Sequence, residues 1–384
     1  MVLRYRFTGH LRVTKFSAIF VIIVVFLEVL CSSRDAFAQK ENVFLHPKKF
    51  YKKFFPHLKI KRDVPDSSYI MVYPNYLSVN AQVLSPTIQF DIAPQKSNPA
   101  AATSFKTDIA DIVGFSATYR FITAGFAVQL PSGMQTHSDH AKSYYRTATI
   151  KYNSRSKSFQ FRYLRLKGLT DVNTSVNPDG SNNYIKRPDI VNKEFQFEWL
   201  YNPGWRKYSY SAPYTFSERQ IKSRAGFLLN TGLFYRQLSG DSALIDKGKQ
   251  EYFNEFEDIT TIRTFSIRIA PGVGGTLVFL KRYYFSVAVF PSYDLYFYKY
   301  LTILDEKVKG SQTFAFVVDG KASVGYQSKR LYAGIRYETE RSTASLSYIK
   351  TKDMSTYLGV EVGYRFNAPR VLKKVYKDTM PPGM

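Results

Sequence analysis

Cysteine is nearly absent from this sequence, because Cys31 is the only one among 384 residues. A fold held by disulfides is therefore excluded, and neither a catalytic thiol nor a cysteine-rich metal site is expected. Tryptophan is also scarce, with two residues, and histidine occurs five times. We expect no cofactor and no bound metal ion.

Long apolar runs are lacking beyond the first 38 residues. No later stretch approaches the roughly 20 apolar residues that a membrane-spanning helix needs. If the chain crosses a membrane, it therefore does so with β-strands. These strands must close into a barrel so that no backbone group stays unpaired in lipid.

Residues 1–38 have the three parts of an export signal. A basic beginning is followed by the apolar stretch 16–30, and residues 36–38 (Ala-Phe-Ala) form a small-x-small cleavage site. An uncleaved anchor is the alternative, but the apolar stretch is shorter than a spanning helix. Lipid attachment at Cys31 is a further alternative, and Leu30 stands where such a site needs a small residue. We predict a signal peptide of the Sec pathway, cleaved at the end of this segment.

The chain is strongly basic, with a formal charge of +24. In a cytosolic protein, this surplus would suggest nucleic acid as the partner. The export signal argues against that class, so we expect no nucleic-acid partner. In the cell envelope, the available counter-charges are the phosphates of outer-membrane lipids and of lipopolysaccharide.

The stretch 354–366 alternates between two kinds of residue. Leu358, Val360 and Val362 would face one side of an extended chain, whereas Glu361 and Arg365 would face the other. Side chains alternate across a strand, so this period of two predicts a strand with one apolar and one polar face. The same alternation recurs from residue 69 onward. The 30 Tyr and 31 Phe suit strands and the aromatic girdles of membrane barrels.

Short and long connections alternate between the predicted strands, as they do in up-and-down membrane barrels. We therefore predict an all-β chain that forms a closed antiparallel transmembrane β-barrel. About 12 strands result if five loops lie on the outer side. About 14 result if further strands lie within 208–238, an extended stretch with no clear register, or within 341–366. The five loops are 94–104, 131–143, 168–190, 240–260 and 302–310. The predicted parts are the signal peptide at 1–38, a basic periplasmic leader at 39–68, the barrel at 69–366 and a basic tail at 367–384.

A large soluble β-sandwich or propeller is the alternative architecture. A propeller would show a repeat of roughly 40–50 residues, and we find none in the sequence. A sandwich would show the same alternation as a barrel. Several predicted strands, however, reach the roughly 9–11 residues that cross a bilayer, whereas strands in soluble proteins average roughly 5–6.

Charged residues recur on the face that would point into the barrel. Both signs occur on strands that would be neighbours, so they either form ion pairs that fill the lumen or line a narrow aqueous path. The lumen-lining candidates are Arg268, Asp294, Asp319, Lys321, Arg336, Glu338, Glu340, Glu361 and Arg365, with Glu194 and Glu198 beside them.

A second polar group lies between two strand-like stretches. We call it the polar knot, and it consists of Glu218, Arg219, Gln220, Lys222 and Ser223. One interpretation is an interface rim that binds lipid phosphate without specificity. The other is a gate or a docking site for a partner.

Three short motifs carry a resemblance to a known family. They are Asp-Ser-Ser-Tyr-Ile at 66–70, Phe-Ser-Glu-Arg-Gln at 216–220 with Lys222 and Ser223, and the closing strand 358–366. Over roughly residues 66 to 366, the chain resembles the uncharacterised secreted Bacteroidetes proteins grouped as domain of unknown function 4421. The resemblance implies a β-barrel-like envelope protein with no established activity, so it assigns no catalytic residue.

We expect an integral outer-membrane protein with a polar lumen, acting as a channel for small solutes or as an envelope scaffold. An enzyme that modifies lipids or lipopolysaccharide is one alternative. Residues 137–140 (His-Ser-Asp-His) are the only group with spacing suited to a hydrolase or a metal. A solvated loop is the simpler interpretation of that cluster. A soluble periplasmic β-protein that binds an acidic ligand is the other alternative.

Overall fold

The computed structural model describes most of the chain from Val64 to Thr379. The described ranges are 64–95, 101–109, 111–130, 139–174, 183–253, 258–303, 309–346 and 349–379. The predicted signal peptide and nearly all of the predicted leader lie outside them. The chain divides into two units, Pro65–Asn367 and a second one that joins Met1–Val64 to Ala368–Met384.

Strands dominate the first unit. They are β1 (Ile70–Val72), β2 (Tyr76–Pro94), β3 (Thr103–Lys106), β4 (Ile112–Tyr119), β5 (Ile122–Gln129), β6 (Tyr144–Asn153), β7 (Lys157–Asp171), β8 (Ile185–Tyr201), β9 (Glu218–Gln220), β10 (Arg224–Ser239), β11 (Ile259–Phe279), β12 (Tyr283–Thr302), β13 (Lys309–Gln327), β14 (Leu331–Leu346) and β15 (Ile349–Asn367). The helix α1 (Ala212–Thr215) and a 3-10 helix at Lys247–Tyr252 lie between strands. In the second unit, the predicted tail contains the helix α2 (Arg370–Thr379). No helix among these described residues is long and apolar enough to cross a membrane.

Twelve of the strands form one closed antiparallel barrel, so the prediction of about 12 strands is confirmed. The order around the wall is β2, β4, β5, β6, β7, β8, β10, β11, β12, β13, β14 and β15. The last strand pairs with the first along its whole length, from Asn367 opposite Tyr76 to Ile349 opposite Pro94. The strands β1 and β9 pair only with each other, so the wall begins at Tyr76 rather than at residue 69.

The outer surface of the barrel is apolar. Along β12, odd-numbered side chains such as Phe285 are exposed, whereas even-numbered ones such as Asp294 are buried. Large apolar side chains stay exposed on the other strands as well, reaching 75% at Phe227 and 74% at Phe314. A soluble sandwich would bury this face, so the arrangement fits a wall surrounded by hydrocarbon.

The two ends of the barrel differ in their connections. We call one the turn end, where three-residue turns join β11 to β12 and β13 to β14. We call the other the loop end, where all five predicted outer loops lie. The predicted loop 168–190 is too long, because β7 continues to Asp171 and β8 begins at Ile185.

The wall narrows towards the loop end. The short strands β4, β5 and β6 end before the wall reaches the loop end. Beyond them, β3 alone pairs with both β2 and β7, so the wall there has two strands fewer. The strand β2 is continuous through Pro86, although proline has no N–H to donate to a strand ladder. Pro86 lies between the residues of β2 that pair with β3 and those that pair with β4, so its missing N–H interrupts no ladder on that side.

The interpretation of residues 208–238 as strand is wrong for the first half of that stretch. Residues 208–223 leave the wall and fold into the barrel at the turn end, and β10 begins only at Arg224. Pro213 stands at the start of α1, where proline is favoured, and Phe216 ends the helix with a left-handed φ of 52°. The aromatic residues here alternate as in a strand, but they pack inside the barrel.

Gly168 lies on β7 where the wall narrows. Replacing it tests how tightly the backbone is packed at that point. Its φ is +82°, and an added Cβ would overlap the carbonyl oxygen of Lys142. We expect Gly168→Ala to lower the free energy of unfolding by about 2 kcal/mol or more, because both the backbone conformation and the contact are strained.

The measurement is the urea midpoint of the folded, heat-modifiable band on gels. Gly204→Ala is the matched control, because the nearest atom to its Cβ would lie at 3.5 Å and no positive φ is involved. Equal midpoints for the two variants would show that the backbone around Gly168 has room for a Cβ atom.

Candidate functional site

The interior of the barrel is built in three levels, and the middle one is ionic. Arg268 on β11 stands directly opposite Asp294 on β12, and Asp319 on β13 stands opposite Glu340 on β14. The guanidinium donates to both oxygens of Asp294 at 2.8 and 2.9 Å, to Asp319 at 2.9 Å and to Glu340 at 2.8 Å. Its carbon also lies 4.3 Å from the centre of the Phe234 ring. One cation thus joins carboxylates from three consecutive strands.

A second network lies beside it on β13, β14 and β15. Arg336 pairs with Glu361 and, at 3.5 Å, with Glu338, which also lies 3.9 Å from the ammonium of Lys321. Asn80 on β2 donates to Glu361 at 3.2 Å. Eight of the nine lumen-lining candidates therefore take part in these two networks.

A third network crosses the barrel interior. Arg236 on β10 contacts Glu194 on β8 at 2.9 Å and also pairs with Asp353 on β15, which is not a neighbouring strand. Glu198, the other residue placed beside the candidates, accepts from Gln160 at 3.3 Å and from Asn230 at 3.2 Å. We did not single out Arg236 or Asp353 from the sequence, although alternation along β10 and β15 places both on the inner face.

A polar cavity of about 180 Å³ lies next to these networks. One of its sides is formed by small residues of β4 and β5, namely Ser116, Thr123, Gly125 and Ala127. Lys151 and Arg162 also line it, and neither has a hydrogen bond or an ion pair among the described residues. The volume is large enough for several water molecules. These two cations thus share the cavity with carboxylates such as Glu198 and Glu338, without a direct ion pair to them among the described residues.

The level towards the loop end is apolar. Inward side chains of the wall pack into one buried cluster with Leu244, Ile245 and Phe253 of the connection between β10 and β11. That connection is fastened by Arg187, which donates to the carbonyl of Ala243 at 2.7 Å. It is also held by Lys249, whose ammonium pairs with Asp171 at 3.0 Å. The loop end of the lumen is therefore filled by protein.

The level at the turn end is a plug. We define the plug as residues 202–223, the connection between β8 and β10. The ring of Phe216 stacks on Tyr332 with centroids 4.2 Å apart. Arg365, the ninth lumen-lining candidate, is fully buried and donates to the Phe216 carbonyl at 2.8 and 3.0 Å and to the Ser328 carbonyl at 2.7 Å. Its guanidinium also lies over the rings of Tyr73 and Tyr332, at 4.1 and 4.8 Å.

The polar knot holds the plug in its folded shape. Glu218 is buried, makes no ion pair with any residue that the structure describes, and accepts from the hydroxyls of Ser209 and Ser211. Gln220 accepts from the Ser209 amide at 2.9 Å and donates to two backbone carbonyls of the plug. Arg219 donates to the Gln327 carbonyl at 3.2 Å.

The remaining members of the knot are exposed. The Lys222 ammonium lies 5.2 Å from the centre of the Tyr69 ring, and the Ser223 hydroxyl accepts from the Val278 amide at 2.9 Å. Within the plug, burial raises the pKa of the Tyr208 and Tyr214 hydroxyls, so both stay neutral. The knot thus joins the plug to the strands around it.

The histidine cluster at 137–140 lies partly within the described residues. His137 and Ser138 lie outside the described residues, while the His140 Nδ1 lies 2.8 Å from the Asp139 carboxylate. The His140 ring packs against Tyr184 with centroids 4.9 Å apart. Within the described ranges, no group of three or more histidine, cysteine or acidic residues is placed to hold a metal ion.

Comparison with known proteins gives one family and a set of solved structures. The model of the family described as Domain of unknown function (DUF4421) matches residues 64–366. A search of curated proteins finds no match.

Three of the solved structures that resemble the chain are outer-membrane proteins. The outer membrane protease OmpT from Escherichia coli is 9% identical, with a TM-score of 0.35 over 77% of this chain and 98% of its own. The translocator domain of the autotransporter NalP from Neisseria meningitidis is 14% identical, with a TM-score of 0.37 over 83% and 93%. The toluene transporter TodX from P. putida is 7% identical, with a TM-score of 0.28 over 77% and 92%.

Proposed function

The chain belongs to the family described as Domain of unknown function (DUF4421), and we propose that it is an integral outer-membrane barrel, closed at both ends, that serves as an envelope scaffold. The observation that carries this proposal is the filled lumen. Among the described residues, side chains occupy the interior at three levels: the apolar cluster, the ionic networks and the plug.

The membrane location is supported by the outer surface. A closed barrel leaves no unpaired strand edge, which is the condition for crossing lipid with strands. Exposed aromatic residues occur near both ends, for example Tyr283 towards the turn end and Phe297 towards the loop end. Such rows of aromatic residues mark the two interfaces of a bilayer.

The scaffold role is supported by the way the ionic level is paired. An open pore needs charges that face water, whereas the Arg268 and Arg336 networks pair their charges with one another. Pairing of this kind offsets much of the desolvation of buried ions and joins neighbouring strands. The middle level therefore acts as a polar core of the wall.

The test of the proposal is conductance in planar bilayers. We expect the folded protein to give no step currents, with folding confirmed beforehand by heat-modifiable mobility and by retention in membranes after high-salt washing. Steady step currents from such a sample would show an open path and would contradict closure. Release into the soluble fraction would contradict the membrane location itself.

A second candidate function is a gated channel for small anions. The observation that favours it is the cavity, where Lys151 and Arg162 make no direct ion pair among the described residues. If the barrel opens, these two cations would lie beside the path and attract anions. Currents that appear only above a voltage threshold, with a reversal potential set by chloride in a salt gradient, would support this function over the scaffold.

A further inference from the structure

A cluster of cations lies on the outer surface of the wall near the loop end. We call it the wall patch, and it consists of Lys142, Arg146 on β6, Arg165 and Lys167 on β7, and Lys193 on β8. Each of the four strand residues alternates with a buried inner neighbour, such as Leu166 beside Arg165 and Lys167. All four therefore point away from the lumen.

The patch places like charges directly opposite one another. Arg146 pairs in register with Arg165, and Arg165 pairs in register with Lys193. Lys167 stands opposite Tyr144, and the Lys142 ammonium lies 5.6 Å from the centre of that same ring. Like charges on facing positions of neighbouring strands destabilise a sheet. An anion bound between these cations would offset the repulsion.

The protein does not supply that anion from the residues described. None of the five cations has a hydrogen bond or an ion pair with a carboxylate there. Two acidic residues at the same end are already engaged: Arg187 holds Asp189 through both oxygens at 2.8 and 2.9 Å, and His140 contacts Asp139. The patch thus offers unneutralised positive charge to whatever surrounds the wall.

Aromatic rings mark the depth of the patch in the membrane. Two residues further towards the turn end, the outward rings of Tyr163 and Phe195 contact each other with centroids 4.8 Å apart, and Phe195 also contacts Tyr235. Aromatic girdles lie at the bilayer interface, so cations roughly 7 Å beyond them along the strands lie at the level of lipid headgroups. Barrel strands tilt by roughly 40°, so paired cations differ in depth by only about 3 Å per strand.

We propose that the wall patch binds the phosphates of a phosphorylated glycolipid in the outer leaflet. This inference rests on the proposed outer-membrane location, because long loops mark the external end of such barrels. Arginine binds phosphate with two parallel hydrogen bonds, and two arginines stand side by side here. Arg146 and Lys193 are two strand spacings apart, roughly 10 Å. A headgroup with phosphates on both ends of a disaccharide can therefore contact both cations at once.

The test compares lipid binding by three forms of the full chain. The patch variant carries Arg146→Gln, Arg165→Gln and Lys193→Gln. The charge-matched control carries Lys281→Gln, Arg282→Gln and Lys329→Gln, which remove three exposed cations at the turn end. Heat-modifiable mobility and flotation with vesicles first establish that all three forms fold and insert. Binding of bisphosphorylated lipid A and of phosphatidylglycerol is then titrated by native mass spectrometry.

We expect the wild type and the control to bind lipid A equally well, and the patch variant to bind it roughly 100-fold more weakly. Unchanged lipid A binding by the patch variant would overturn the inference. Equal affinity of the wild type for both lipids, lost equally in the patch variant, would overturn the assignment to a glycolipid. Failure of the wild type to float with vesicles would instead contradict the proposed membrane location.

Discussion

Replacing Arg268 with methionine is expected to lower the free energy of unfolding of the barrel by about 3–5 kcal/mol. The substitution keeps an unbranched side chain but leaves Asp294, Asp319 and Glu340 without their shared counter-charge. Asp294 is fully buried, so its carboxylate has no access to water in compensation. Breaking a buried ion pair by removing one partner is costly because the remaining charge stays desolvated. The measurement is the urea midpoint of the folded protein in lipid vesicles at neutral pH.

Two controls separate this effect from a loss of packing. Arg263→Met changes the same residue type on the same strand, but Arg263 is exposed on the outer face and is expected to matter little. Adding Asp294→Asn, Asp319→Asn and Glu340→Gln to Arg268→Met removes the unpaired charges and is expected to restore part of the stability. A urea midpoint of Arg268→Met equal to that of the wild type would show that the network contributes nothing to stability.

The wall of this barrel could be predicted from the sequence because apolar and polar residues alternate over long stretches of its strands. On β12, aromatic and aliphatic residues occupy the odd positions and Asp294 an even one, which is the pattern of a strand between lipid and lumen. The inner position of Arg268, Asp319 and Glu361 followed from the same period of two. Which of these charges meet depends on register, and register is set by long-range pairing that alternation does not encode.

The plug could not be predicted by the same reasoning. Tyr208, Tyr210, Tyr214 and Phe216 are spaced as in a lipid-facing strand, and an aromatic side chain is equally satisfied by hydrocarbon or by the inside of a protein. The useful signals were local: Pro213 at the start of a helix, and Ser209, Ser211 and Ser217, whose hydroxyls can accept and donate hydrogen bonds. The contact between Arg236 and Asp353 was also hidden, because it joins two strands that are not neighbours in the wall.

Arg365 shows how the inner position of a side chain can still leave its role open. Alternation places it on the polar face of β15 beside Glu361, which favours an ion pair. In the structure, its guanidinium meets backbone carbonyls and two aromatic rings instead. The left-handed conformation of Phe216 sets the orientation of one of those carbonyls, and no residue pattern near Arg365 signals it.

Opening of the plug is expected when Arg365 is replaced by glutamine. The substitution removes charge-assisted hydrogen bonds to the Phe216 and Ser328 carbonyls, each contributing about 1.5–3 kcal/mol. It also removes the cation from between the Tyr73 and Tyr332 rings. Because 1.4 kcal/mol corresponds to a factor of ten and at least two such bonds are lost, the open fraction of the plug should rise roughly 100-fold or more.

A single introduced cysteine makes this opening measurable. Cys31 is the only natural cysteine and lies in the predicted signal peptide, so Thr149→Cys would place one thiol on the cavity wall. The rate of its reaction with a small charged thiol reagent, added from the turn-end side, reports access through the plug. In Arg365→Gln this rate should rise by the same factor, while the loop-end cluster keeps the barrel non-conducting.

The matched control is Arg330→Gln, an exposed arginine at the same end whose guanidinium donates to the Tyr364 hydroxyl at 3.2 Å. Its labelling rate should equal that of the unsubstituted background. If Arg365→Gln is labelled as slowly as Arg330→Gln, the Phe216 stack and the polar knot hold the plug without the guanidinium. Fast labelling in every form would mean that residues 202–223 do not close the turn end, and closure of the barrel would then rest on its apolar level alone.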